Sequence, residues 1–179
     1  PTGTGLAFGT LTDRIYTSGG LDYSYTSCSF TFDRINLAGG VIVTVQGINS
    51  LELKTRNHGD ITIEADLDLA GSTDSSSGPG GWKGGGNNTP GEGPGAGKDT
   101  GSGAGGSYAG PGVGDITPVT YGDFDLNSAV GGSGGSDNGG GGGGAISITA
   151  HGTGKVTIGE NATISVNGAA ASGGGSGAG

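Results

Sequence analysis

Between residues 71 and 144, 29 of the 74 positions are glycine, and only six are Leu, Ile, Val or Phe. Such a stretch cannot bury a conventional apolar core. Fixing one backbone residue costs about 1–2 kcal/mol of conformational entropy, and glycine loses the most. Two outcomes are open to it. The stretch stays disordered, or it orders as extended helices of the polyglycine II kind, with three residues per turn, packed where only glycine fits. Gly131-Gly132-Ser133-Gly134-Gly135-Ser136 and the run Gly139 to Gly144 keep a three-residue period, whereas Gly91-Glu92-Gly93-Pro94-Gly95-Ala96-Gly97 alternates by two. Order would need many interchain hydrogen bonds, with a neighbouring copy of the chain as the expected source. Trp82, Tyr108, Tyr121 and Phe124 are spaced along it as anchors against the rest of the molecule.

The large aliphatics gather elsewhere. Residues 35–69 hold 13 of the 32 Leu, Ile, Val and Phe residues, and residues 145–166 hold six. No ten-residue window offers good helix formers free of Gly and Pro, so helices are excluded. No apolar run approaches the ~18 residues of a membrane span. The pattern is that of strands. Val41, Val43 and Val45 alternate, then Leu51 and Leu53, Ile61 and Ile63, Leu67 and Leu69, with Gly47, Asn49-Ser50 and Asn57-His58-Gly59 as turn material between them. In residues 1–34, Leu21, Tyr23 and Tyr25 fall on odd positions, and Cys28, Phe30 and Phe32 on even ones. This change of parity near Ser27 predicts a bulge or bend.

The strand pattern repeats. Gly59-Asp60-Ile61-Thr62-Ile63 matches Gly154-Lys155-Val156-Thr157-Ile158, and Leu67-Asp68-Leu69-Ala70-Gly71 matches Ile164-Ser165-Val166-Asn167-Gly168. Residues 39–47 match residues 143–152 in the same way. Short strands at turn-punctuated spacing, repeated within a chain, are the signature of a coil-by-coil β-solenoid. On these residues the chain resembles bacterial surface proteins with right-handed parallel β-helices and glycine-rich insertions, of the filamentous-haemagglutinin and autotransporter-adhesin type. The expected fold is therefore all-β, a parallel β-helix with a long glycine-rich insertion, with a β-sandwich or jelly roll as the alternative. The expected organisation is an N-terminal strand section over 1–34, coils over 35–70 and 145–168, the insertion over 71–144 and a glycine-rich tail over 169–179.

Sixteen acidic residues face seven basic ones, for a net charge of −9. Such a surface repels phosphate backbones, so nucleic acid is excluded as an expected partner. The chain contains no methionine and is expected to be a processed product or a piece of a longer protein. Few lysines and much Ser, Thr, Asn and Gly fit an extracellular or cell-surface protein. Asn87 and Asn161 open the two N-glycosylation sequons. Cys28 is alone, so no internal disulfide forms. It is expected to pack as a small apolar group, with an intermolecular bridge as the other use.

No catalytic set emerges, and the chain is expected not to be an enzyme. His58 and His151 both sit in glycine turns, no nucleophile elbow occurs, and Glu64, Asp66 and Asp68 form a solvated outer face around Leu67. Calcium is a possible ligand, because Asp123 and Asp125 share one strand face and Asp137 follows a glycine-rich repeat. The open edges of a solenoid pair with other chains unless they are capped, and no amphipathic helix is available as a cap. A strand donated from the N-terminus, with Leu6, Phe8 and Leu11, would serve as the interface. Head-to-tail contacts of this kind build open filaments. The expected function is thus a structural subunit that polymerises with itself into a filament, surface layer or matrix fibre. The alternative is an adhesin or glycan-binding domain using Trp82 and Tyr108.

Overall fold

β-branched residues prefer a pleated, half-buried surface, and the strands lie where they alternate. In the computed structural model, which describes residues 9–98, 101–114, 119–122, 128–171 and 174–179, ten strands form. They are β1 (Thr10–Ser18), β2 (Leu21–Phe32), β3 (Ile35–Leu37), β4 (Ile42–Thr44), β5 (Ser50–Thr55), β6 (Ile61–Ile63), β7 (Asp66–Asp68), β8 (Ile146–Thr149), β9 (Val156–Ile158) and β10 (Ile164–Ser165). No helix occurs among the described residues, so the chain is all-β. Leu6, Phe8, Asp123, Phe124 and Asp125 lie outside the described residues.

The strands make three small sheets, in the orders β1-β2-β5-β8, β3-β6-β9 and β10-β7-β4. Among the described residues only β1 and β2 pair antiparallel; every other pairing is parallel. A sandwich or jelly roll is built of antiparallel neighbours, so the described residues do not form the alternative fold, and they form no closed barrel either. Successive strands β5, β6 and β7 belong to three different sheets, and each pairs with a strand from the next passage of the chain. The side chains therefore stack in ranks. Ile35, Ile61 and Val156 are in register, as are Leu37, Ile63 and Ile158, and Val43, Leu67 and Ile164. The core is the inside of these ranks: Ile35, Leu51, Leu53, Ile61, Ile63, Leu67 and Leu69. Ile61 and Ile63 are wholly buried.

Two sequence matches give the ladder partners, β6 with β9 and β7 with β10. The third does not. Residues 146–149 stack on β5, not on 42–44, because the strand after the insertion re-enters on the first sheet, where Leu51 and Leu53 await Ile146 and Ile148. The bulge expected near Ser27 is absent too: β2 pairs without interruption from Leu21 to Ser29. What changes there is the covered face. Tyr23 and Ser27 point one way and Cys28 and Phe30 the other, as the period of two requires. The strand leaves the aromatic side of the molecule and joins the core. Gly19 and Gly20 close the β1–β2 hairpin, with φ of 59° and 79°. Two consecutive left-handed residues make the primed turn that matches strand twist.

The glycine-rich segment is ordered over its described residues, and its own chain supplies the hydrogen bonds, not a neighbouring copy. Successive amides of residues 139–144 donate to three different segments in rotation. Gly139 and Gly142 donate to Gly85 and Trp82 at 3.0 and 2.9 Å. Gly140 and Gly143 donate to Gly175 and Ala178 at 3.0 and 2.7 Å. Gly141 and Gly144 donate to Ser72 and Leu69 at 3.2 and 2.9 Å. The carbonyls of Gly140 and Gly143 accept from Gly135 and Gly132. Every third residue thus faces the same neighbour. A Cβ at any of these six positions would lie under 3.0 Å from a backbone atom of another segment, which real Cβ atoms essentially never do. Side-chain volume is replaced here by backbone packed on backbone.

Candidate assembly interface

The second and third sheets end in unpartnered strands. Among the described residues nothing pairs beyond β3 and β4 at one end, or beyond β9 and β10 at the other. Val156 and Ile158, in register with wholly buried Ile61 and Ile63, are 42% and 51% exposed because no further rank covers them. At the opposite end the interior opens as a hollow of about 390 Å³, lined by Cys28, Phe30, Leu37, Val43 and Val45 among others. Edges left open usually carry charge against unwanted pairing. β3, β4, β9 and β10 carry none, whereas the middle strands hold Glu52, Lys54, Asp66 and Asp68.

Charge collects at the turns between the first and second sheets. Arg56 Nε lies 2.7 Å from Asp33 Oδ1, and this bond and the guanidinium charge hold the Asp33 carboxyl below its ordinary range. Asn57 and His58 take φ of 52° and 60°, closing a tight turn in which Gly59 N donates to Arg56 O. Thr153 N donates to His58 Nδ1 at 3.0 Å, and the His58 and His151 rings stand 5.8 Å apart. Lys155 N donates to Asp60 Oδ1 at 2.9 Å. The two histidines, both expected in glycine turns, are therefore neighbours with their rings edge-on, and the Thr153 hydroxyl lies 3.2 Å from His58 Nδ1.

Sequence reading missed a charged cluster on the outer face of the first sheet. Glu52 is 5% exposed. It accepts from Arg14 Nη2 at 2.9 Å, from Lys54 Nζ at 2.6 Å and from the Ser29 hydroxyl. Arg14 also donates to Ser27 Oγ at 3.0 Å. The available signal was the opposite charge of Glu52 and Lys54, two apart and so on the face away from Leu51 and Leu53. Burial pushes the Glu52 carboxyl up, but the hydrogen bonds from Lys54 and Ser29 and the charges of Lys54 and Arg14 prevail and hold it at about 2, against an ordinary 4.5. Lys54 Nζ also lies 3.4 Å from Ser29 Oγ. The cluster fastens the hairpin to β5. Its folded pKa lies below the unfolded one, so its stabilisation is present above pH ~4.5 and is lost as pH falls toward 2. Urea titrations at pH 5 and pH 2.5 should differ by up to about 2 kcal/mol through this group, and Glu52→Gln should remove that part of the difference.

Trp82 and Tyr108 are not free loop aromatics. Trp82 meets Tyr23 and Tyr121 edge-on at 6.5 and 6.0 Å, Tyr108 meets Tyr121 at 5.0 Å, and Tyr16 closes the array at 5.8 Å from Tyr121. Tyr121 is 4% exposed. Its hydroxyl donates to Gly131 O at 2.7 Å and accepts from Ser133 Oγ at 2.8 Å, and burial pushes its pKa up. The array packs Trp82, Tyr108 and Tyr121 of the glycine-rich segment against Tyr16 and Tyr23 of the hairpin, and Phe124, the fourth expected anchor, lies outside the described residues. The Trp82 and Tyr108 rings, expected as glycan contacts, are half-buried in packing.

Leu11 lies on β1 opposite Cys28 and is 61% exposed. Its strand pairs antiparallel with β2 of the same chain. Asn87 and Asn161 are exposed. Asp137 Oδ1 accepts from Asn88 N at 3.0 Å, tying two turns together. No group of three or more His, Cys, Asp or Glu gathers among the described residues as a metal would require, and no helix among them is long and apolar enough to cross a membrane. Comparison with protein-family models, curated proteins and solved structures found no match.

Proposed function

We propose that this chain is a non-catalytic, extracellular structural subunit that joins head-to-tail with its own kind into a filament, surface layer or matrix fibre. In this reading the strands of 35–70 and 145–168 are coils of a parallel β-helix, and the glycine-rich segment is a polyglycine II bundle clamped to its side. The observation that carries the reading is the pair of uncharged, unpartnered strand edges at opposite ends of the same ladders. Two different edges meeting head-to-tail form a heterologous contact that need not close. The extracellular setting is supported by composition alone.

Purified protein, concentrated and imaged by negative-stain electron microscopy, should form elongated particles whose length grows with concentration. Ile158→Lys, which puts a charge on the open edge, should stop growth while leaving the circular dichroism spectrum of the subunit unchanged. Monodisperse single subunits at every concentration would refute the reading. A glycan-binding role through Trp82 and Tyr108 has less support, since the ring array already uses these side chains.

A further inference from the structure

We propose that the second sheet runs on from one copy into the next, with β9 of one copy pairing in parallel with β3 of a second copy. Val156 meets Ile35, Thr157 meets Asn36 and Ile158 meets Leu37. The inference rests on the proposed self-assembly and gives it a defined joint.

The ladder itself supplies the first reason. Within one chain β3 pairs with β6, and β6 with β9, in one direction and one register. The free side of β9 is therefore the side that β3 offers to β6, and the free side of β3 is the side that β6 offers to β3. A second copy moved along the ladder meets the first with matching donors and acceptors. The second reason is spacing. Ile35 and Val43 are eight residues apart, and so are Val156 and Ile164, whereas the equivalent Ile61 and Leu67 in the middle passage are six apart. The two end passages match each other, so β10 and β4 come into step when β9 and β3 do.

The third reason is charge. The joint brings neutral Thr157 beside neutral Asn36, and half-exposed Val156 and Ile158 over Ile35 and Leu37. At the adjoining turn, His151 and Lys155 face Asp33 of the second copy, whose own Arg56 lies on its far side. Arg34 of the second copy is the one like charge brought beside Lys155, and Asp33 next to it offsets the pair.

Cysteine cross-linking tests the register. In a Cys28→Ser background, Asn36→Cys combined with Thr157→Cys places two thiols on outward positions that meet only across the joint. Within one chain β6 separates them by two strand spacings, about 9.6 Å, beyond the reach of a disulfide. Mild oxidation should give a ladder of covalent dimers, trimers and longer species on a non-reducing gel. Asn36→Cys with Ser165→Cys, which belong to different sheets, should stay at single-chain size. Filaments in the microscope without a covalent ladder, or an equal ladder from the control pair, would overturn this joint and leave self-assembly standing. Neither filaments nor ladder would overturn both.

Discussion

Gly142→Ala abolishes the ordered glycine-rich segment and lowers the stability of the chain by more than about 4 kcal/mol, a loss reserved for clashes and broken networks. The reason is geometric. The new methyl group would lie under 3.0 Å from the Gly132 carbonyl, and carbonyls joined into a bundle have no rotamer with which to move aside. The same residue donates to Trp82 O and accepts from Gly78 N, so displacing it breaks two bonds to two segments. Thermal unfolding followed by calorimetry should show a lower or lost transition. Hydrogen exchange should show the amides of residues 131–144 becoming fast. Gly110→Ala is the control: nothing lies within 4 Å of its Cβ position, and the expected change is within ~0.5 kcal/mol. An unchanged melting temperature for Gly142→Ala would mean that the bundle is not packed as described.

Ile63→Ala should cost about 2–5 kcal/mol, and Ile158→Ala less than about 1 kcal/mol, although the two residues are neighbours in one ladder. Ile63 is wholly buried between Leu37 and Ile158, so truncation leaves a cavity that the stack cannot collapse, whereas Ile158 is half exposed. For a chain of this size the first loss lowers the midpoint by roughly 10 °C. Equal effects at the two positions would show that the last rank is covered in solution. Repeating the pair at the highest concentration that keeps the protein soluble therefore also reports on assembly: there Ile158→Ala should grow more costly.

Residues 59–71 and 154–168 were legible as ladder partners because both sides of each ladder bury alternate branched aliphatics, and a one-residue slip would expose all of them. Residues 143–152 misled. Their neighbour β5 has Glu52 and Lys54 on its outer face and looks unlike them, while residues 41–45 look alike. The order in which the chain visits the sheets, not likeness, decides which strands stack. The glycine-rich segment declared its three-residue period, yet the partners of its amides could not be read. Each residue turns toward a different segment, and nothing in a run of identical glycines marks which. The buried Glu52 cluster was hidden for a related reason: Arg14 and Ser29 reach it only because the hairpin lays β2 along β5.

The first sheet holds four strands and the other two hold three. At ~4.8 Å per strand, with faces ~10 Å apart, each copy added to a column is wedge-shaped and turns the axis by roughly 25° away from the hairpin side. Polymers of this chain would thus be curved, winding as coils or arcs in place of straight rods, and removing β1 would straighten them.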